Sequence, residues 1–269
     1  MPTTYTHYRF GKDVLNKLPD NKQVLINKYR ELYDIGLHGP DILFYYKALS
    51  HNFVNGYGGQ LHNESGKQFF RHAGMTLRMH DIREEDLAYL YGFICHFVLD
   101  ACCHGYIRQK EKSGITHAEI ESEFDRFLLV MDEKDPLRTV LTSHLHPTME
   151  NANVIAPYFV GITPEQVKTS VRSMITYHDL LRSPGKLKRN TLLLGLRLTG
   201  HYEGMHGLFI NYEPNPDCED SNTMLWSLYN EAIDKAVECI NHYLDIIDNN
   251  TSWDDIYKYN FEGEIIEGK

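Results

Sequence analysis

Apolar residues recur at steps of three and four through most of the chain, with no series of alternating strands between them, so the pattern predicts an all-α protein. The predicted helices span 12–17, 21–33, 40–50, 65–79, 84–107, 117–131, 136–143, 147–159, 164–181, 186–199 and 221–248. Turn residues punctuate them at Pro19-Asp20, Gly39-Pro40, Gly58-Gly59, Ser183-Pro184-Gly185 and the loop from Glu213 to Asp220. No linker divides the chain. Residues 1–250 therefore read as one multi-helix domain and 251–269, rich in Asp, Glu and Gly, as an irregular acidic tail.

One helix breaks the usual pattern. Ala88 to Tyr106 reads AYLYGFICHFVLDACCHGY, apolar nearly all round, yet it sets His96, Asp100 and His104 at steps of four on one face. Imidazoles and carboxylates are costly in such surroundings unless something binds them. His117 and Glu121 head the next amphipathic segment, HAEIESEFDRFLLVM, with the same spacing. A divalent metal ion would satisfy both pairs, with two helices aiming ligands into a shared interior.

Spacing by itself is a weak signal, since this many His and acidic residues give roughly two His-x-x-x-acid pairs by chance; four occur. Context separates them. His80/Glu84 lies in the polar run RMHDIREED and, with His146/Glu150, reads as a pair of surface neighbours, whereas His96/Asp100 sits among Phe93, Ile94, Phe97, Val98 and Leu99. Taken singly, Asp41 reads equally as a first-turn charge after Pro40, and His104 as a helix-terminal cation before Gly105. His62 reads equally as a surface residue beside a cap at Asn63 or Ser65. His7, between Tyr5, Tyr8 and Phe10, reads as part of a docked segment. His144, His146, His201 and His206 read as loop or surface histidines, with the stretch from Gly200 to Gly207 alternatively forming a wall of the cleft.

Composition narrows the function classes. Five cysteines, two of them adjacent, make a poor disulfide framework; Cys102-Cys103 reads as small buried apolar side chains, and a reducing compartment is expected. The start MPTTYTHYRFGKD shows no basic-then-apolar leader, so a cytoplasmic location is expected. Asp100 argues that the apolar helix belongs to a protein core, with no membrane span. A formal charge of −10 argues against an extended nucleic-acid surface.

The motifs HYRFG, GPDILFYY, Leu61-His62 ahead of the pair Phe69-Phe70, GFICHFVLD and HAEIESEF stand in the order seen in the zinc-dependent phospholipase C superfamily, which also includes single-strand-specific nucleases. The chain resembles that family clearly over residues 5–130, most specifically in His-x-x-x-Asp, a following His, then His-x-x-x-Glu. The resemblance implies an all-helical bundle of the phospholipase C type holding zinc, two or three ions, in a cleft. It implies Asp41, His62, His96 and Asp100 around one ion and His104, His117 and Glu121 around a second. His7 and a bridging oxygen of Asp100 would hold a third; His51 is the alternative to His62.

Two departures stand out. Secreted members use an N-terminal tryptophan at the third site, where this chain has Met1-Pro2, so that site is expected to be weak, empty, or completed by Tyr5 or water. The interval from Asp100 to His104 is also shorter and lacks a proline. Divalent ions held by three carboxylates make a cationic pocket, for which phosphate is the natural guest.

The implied activity is hydrolysis of phosphoric esters, phospholipase C-like, through hydroxide generated at the metal, with Asp41 as catalytic base. The implied partner is a small phosphoester or a phospholipid headgroup. A nuclease of the same superfamily and a non-catalytic helical metal-binding protein are the alternatives, and His and carboxylate ligands also suit iron or manganese.

Overall fold

The computed structural model describes residues 4–266. Among these the elements are twelve α-helices, with short 3-10 turns between some of them and a single isolated bridge, Tyr259 to Ile265. They are α1 (Thr4–Lys17), α2 (Asp20–Lys28), α3 (Arg30–Gly36), α4 (Phe53–Asn63), α5 (Gly66–Met79) and α6 (Glu84–Glu111). Then follow α7 (His117–Met131), α8 (Met149–Ile155), α9 (Pro164–Leu181), α10 (Lys186–Leu198), α11 (Tyr202–Met205) and α12 (Glu219–Ile247). The all-α class is as the periodicity requires.

The axis of the fold is α6. Residues 86–101 are buried without a break, so the helix is surrounded on every side. It is long and apolar enough to cross a membrane by length and composition, but 94% of that window is buried inside the chain's own bundle. The surrounding layer is α1, α2, α3, α5, α7, α8 and α12, with the 3-10 turn Gly39–Tyr45. Two glycines let α3 come close: a Cβ on Gly36 would sit 2.3 Å from the Tyr89 carbonyl, and one on Gly92 would sit 2.2 Å from the Tyr33 carbonyl. That approach fixes the start of the loop carrying Asp41 against the helix carrying His96.

Several elements differ from the periodicity. The first helix begins at least as early as Thr4, and its opening turn is fastened by Asp125 of α7, which accepts from Tyr5 N at 3.1 Å, Thr6 N at 2.7 Å and Thr6 Oγ1 at 2.6 Å. Those amides are the unpaired donors of a helix start, and a carboxylate there also meets the positive end of the dipole. The cap comes from 119 residues away, so no local signal shows it. Residues 40–50 form only a 3-10 turn, Gly39–Tyr45. Residues 136–143 are turns, because Asp135 Oδ1 accepts from the Leu137 and Arg138 amides and closes the chain locally instead of starting a helix. Conversely α4 forms despite Gly56, Gly58 and Gly59, started by a capping box in which Asn52 and Asn55 satisfy each other's amides.

The segment set apart as an acidic tail is mostly irregular, but it is built into the bundle. Tyr257 and Phe261 are both fully buried. Phe261 packs its ring against Phe97 at 5.0 Å and Phe93 at 6.0 Å. Asp254, Asp255, Glu262 and Glu264 flank these two aromatic anchors, so the average composition of the segment gives no sign of their burial.

Candidate metal centre

The eight sequence candidates converge. Seven of them, His7, Asp41, His62, His96, Asp100, His104 and Glu121, are buried, and His117 is partly exposed. They form three groups, His7–His96–Asp100 and Asp41–His62–His96, which share His96, and His104–His117–Glu121, each with its donor atoms within 4.8 Å of one another. His51 is exposed and lies outside them.

The elements supply these side chains in a simple way. Three come from successive turns of α6, two from the first turns of α7, one from α1, one from the 3-10 turn after α3 and one from α4. Asp100 stands in the middle. Its Oδ1 is 3.1 Å from His7 Nε2 and 3.8 Å from His104 Nε2, while Oδ2 is 3.1 Å from His96 Nε2. Glu121 Oε1 lies 3.2 Å from both His104 Nε2 and His117 Nε2, and Asp41 Oδ1 lies 2.9 Å from His62 Nε2. Donor atoms sharing one tetrahedral zinc sit about 3.3 Å apart, within a few tenths of an ångström of most of these separations.

The outer nitrogens show what the inner ones are for. His62 Nδ1 donates to the Gly58 carbonyl at 2.8 Å, His96 Nδ1 to Leu37 at 3.3 Å and His104 Nδ1 to Phe261 at 2.5 Å; His117 Nδ1 faces Glu111 at 3.4 Å. An imidazole whose Nδ1 is a donor presents, when neutral, a lone pair at Nε2. Here those lone pairs face carboxylate oxygens, which only accept. A second proton or a metal ion must stand between them, and anchoring of the outer nitrogen is the usual arrangement of a metal-bound histidine. Four atoms of the cluster, His7 Nδ1, His96 Nε2, Asp100 Oδ2 and Glu121 Oε2, are buried with no hydrogen-bond partner. His96 Nε2 and Asp100 Oδ2 are thus close but misaligned for each other, as two groups aimed at a third body would be. The donor set fits zinc.

The charges point the same way. Burial opposes ionisation of Asp100, but His96, His104 and His7 outweigh it and hold the carboxyl well below the usual range. Glu121 is held low against its burial by His117 and His104, and Asp41 by His96 and His62. Burial would depress the His104 imidazole, yet Asp100 and Glu121 raise it to about 10. The carboxylates are ionised and demand positive charge.

Residues that position the ligands were not legible in the chain. Gly39 has φ +47°, and a Cβ there would fall 2.2 Å from His96 Cδ2, so only glycine lets His96 and Asp41 share the space. Gly39→Ala is expected to lower zinc affinity at least about tenfold, as loss of a supporting contact does; metal titration of the variant checks it. Asp125 sets the pose of α1 and hence of His7. The Tyr5 hydroxyl, considered as a ligand for the third site, instead donates to Asp132 at 2.5 Å and accepts from Lys134 at 2.8 Å.

Next to the cluster, His38 Nε2 and His144 Nε2 share a hydrogen bond of 2.7 Å, with His144 stacked on Tyr8 at 4.0 Å. His144 lies on a loop, as expected, but is buried, because that stacking needs the ring inside. Burial, reinforced by the neighbouring imidazole, holds His38 well below its ordinary value, and burial with nearby Arg30 lowers His144 to about 3. The unfolded chain gains these protons as pH falls below about 6.5 while the folded chain refuses them, so their stabilisation is full above that pH and drains away toward acid. His144→Gln should reduce the acid-side slope of unfolding free energy by about 1.4 kcal/mol per pH unit. Urea midpoints measured from weakly acidic to neutral pH test this.

The family model for zinc dependent phospholipase C matches residues 6–165, a span that includes all eight converging residues, and the chain belongs to that family. No match was found among curated proteins or among solved structures. The matched span ends in the first turn of α9, so α10 to α12 and the docked C-terminal segment lie beyond it.

Proposed function

We propose that the protein is a zinc-dependent hydrolase of phosphoric esters, binding two or three zinc ions through the eight converging residues and acting on a small phosphodiester or a phospholipid headgroup. The observation that carries this reading is the inward turn of all five Nε2 atoms onto three ionised, buried carboxylates. Asp41, His62 and His96 would hold one ion and His104, His117 and Glu121 another. Asp100, with its two oxygens turned to different imidazoles, would join them and extend to His7. Zinc when bound draws charge from phosphoryl oxygens and acidifies water.

The chain's own residues supply the rest. Asp41, held ionised in a buried site, is the group we assign to take the proton from the attacking water. The surrounding aromatic core, Phe93, Phe97 and Phe261, keeps the back of the site dry. Of the eight, His117 is the most exposed, with 26% of its side chain open to solvent, so substrate would approach over the first turn of α7.

The test is a panel of chromogenic phosphomonoesters and diesters assayed on protein as purified, after chelation, and after zinc is restored. Turnover of at least one diester should vanish with the metal and return with it. Asp41→Asn should lose about a hundredfold or more in turnover. Fully zinc-loaded protein that turns over no phosphoester would leave a metal-binding protein without hydrolysis and end this reading.

A further inference from the structure

Helix α10 is built the wrong way round for a core helix. Arg189 is its only buried residue. Leu187, Leu194 and Leu198 are 83%, 57% and 81% exposed, and their spacing of seven and then four puts them in one outward stripe. The inward side is held by Leu192, Leu193 and Leu196, all half-buried, and by Arg189, whose guanidinium lies 4.2 Å from the Tyr212 ring centroid. The leucine stripe is therefore not the face that anchors the helix.

Charge along the helix has one sign. Residues 180–202 include Arg182, Lys186, Lys188, Arg189 and Arg197 and no Asp or Glu, within a chain of net charge −10. Arg182 pairs with Asp179 at 3.0 Å and Arg189 is turned inward. That leaves Lys186 and Lys188, about 100° to either side of Leu187 on the helix, together with Arg197. Lys188 Nζ also bonds the Asp179 and Arg182 carbonyls, and Arg197 lies over the Tyr202 ring at 4.4 Å; both remain exposed. Apolar side chains flanked by cations are what an anionic bilayer interface accepts.

The segment that follows the helix adds a reason. The chain leaving α11 packs on α7: the Gly207 carbonyl accepts from Ser122 Oγ at 2.6 Å, and a Cβ on Gly207 would lie 2.8 Å from Glu119 N and from Thr116 Oγ1. Those residues flank His117 and Glu121, the open edge of the metal cluster.

We propose that α10 docks the protein on an anionic lipid surface, Leu187, Leu194 and Leu198 entering the interface and Lys186, Lys188 and Arg197 facing phosphate headgroups. Docking stands apart from turnover and survives if the chain proves to hydrolyse nothing. The test is flotation of the full, zinc-loaded chain with vesicles of phosphatidylcholine alone or mixed with phosphatidylglycerol. Binding should be at least about tenfold tighter to the mixed vesicles and should weaken in high salt. Leu194→Asn with Leu198→Asn should cut it about tenfold or more, with helicity and zinc content unchanged. Lys186→Glu with Arg197→Glu, which keeps every leucine, should also lower it. Equal binding to both vesicle types, or no loss in either variant, overturns the proposal. So does a dimer in light scattering that the leucine variant converts to monomer, since a second copy would then cover the stripe.

Discussion

Asp100→Ala leaves the chain without most of its zinc and less stable by on the order of 5 kcal/mol. Asp100 is 2% exposed and, among the described residues, is the only carboxylate facing three imidazoles, His7, His96 and His104. Its removal strands those rings in a space almost closed to water and takes away the carboxylate that faces all three. Metal stability and fold stability fall together because the site is assembled only in the folded chain. Inductively coupled plasma analysis after dialysis and urea unfolding read the two effects. Asp100→Asn, which keeps the volume and loses the charge, should lose zinc with a smaller structural cost. Full zinc stoichiometry in Asp100→Ala would remove Asp100 from the centre of the site. His146→Ala, by comparison, should change neither quantity: that ring is half exposed and stands 3.9 Å from Glu31.

Phe261→Ala costs about 3–5 kcal/mol, the range for truncating a fully buried aromatic, and lowers zinc affinity as well. Its ring contacts both sides of the site, with centroids 5.4 Å from His62 and 5.9 Å from His96, and its carbonyl holds His104 Nδ1. Residues supporting a ligand in this way are worth about 10–100-fold in metal affinity. Thermal unfolding with and without added zinc separates the two parts: the packing loss persists in chelator, whereas the affinity loss appears only with metal. An unchanged zinc affinity would show that the C-terminal segment merely covers the site.

The legible parts of this protein were those written in local pattern. The circumferential apolarity of α6, broken by His96, Asp100 and His104 on one face, exposed both the central helix and the cluster it carries. His117 and Glu121 followed from the same spacing. Asp41, His62 and His7 came from the family resemblance, since alone each matches an ordinary cap, surface residue or terminal segment.

The supporting shell was hidden because its partners are remote in sequence. Asp125 caps a helix more than a hundred residues earlier, Phe261 reaches His104 from 157 residues later, and Gly39 matters only because of a ring on another helix. Helix α4 was masked by its glycines, and the acidic residues around Tyr257 and Phe261 masked their burial. In sequence the leucines of α10 mark one more helix; which of its faces turns to solvent is a tertiary fact.

The central claim is that these side chains gather divalent metal rather than one another. Anomalous diffraction at the zinc edge, from crystals of protein purified without chelator, tests it most directly. Two or three peaks should lie among Asp41, His62, His96, Asp100, His104, His117 and Glu121, with His7 beside one of them. An empty cluster whose histidines and carboxylates are closed on each other, or zinc found only at the outlying group Glu238, His242 and Asp254, would contradict the account.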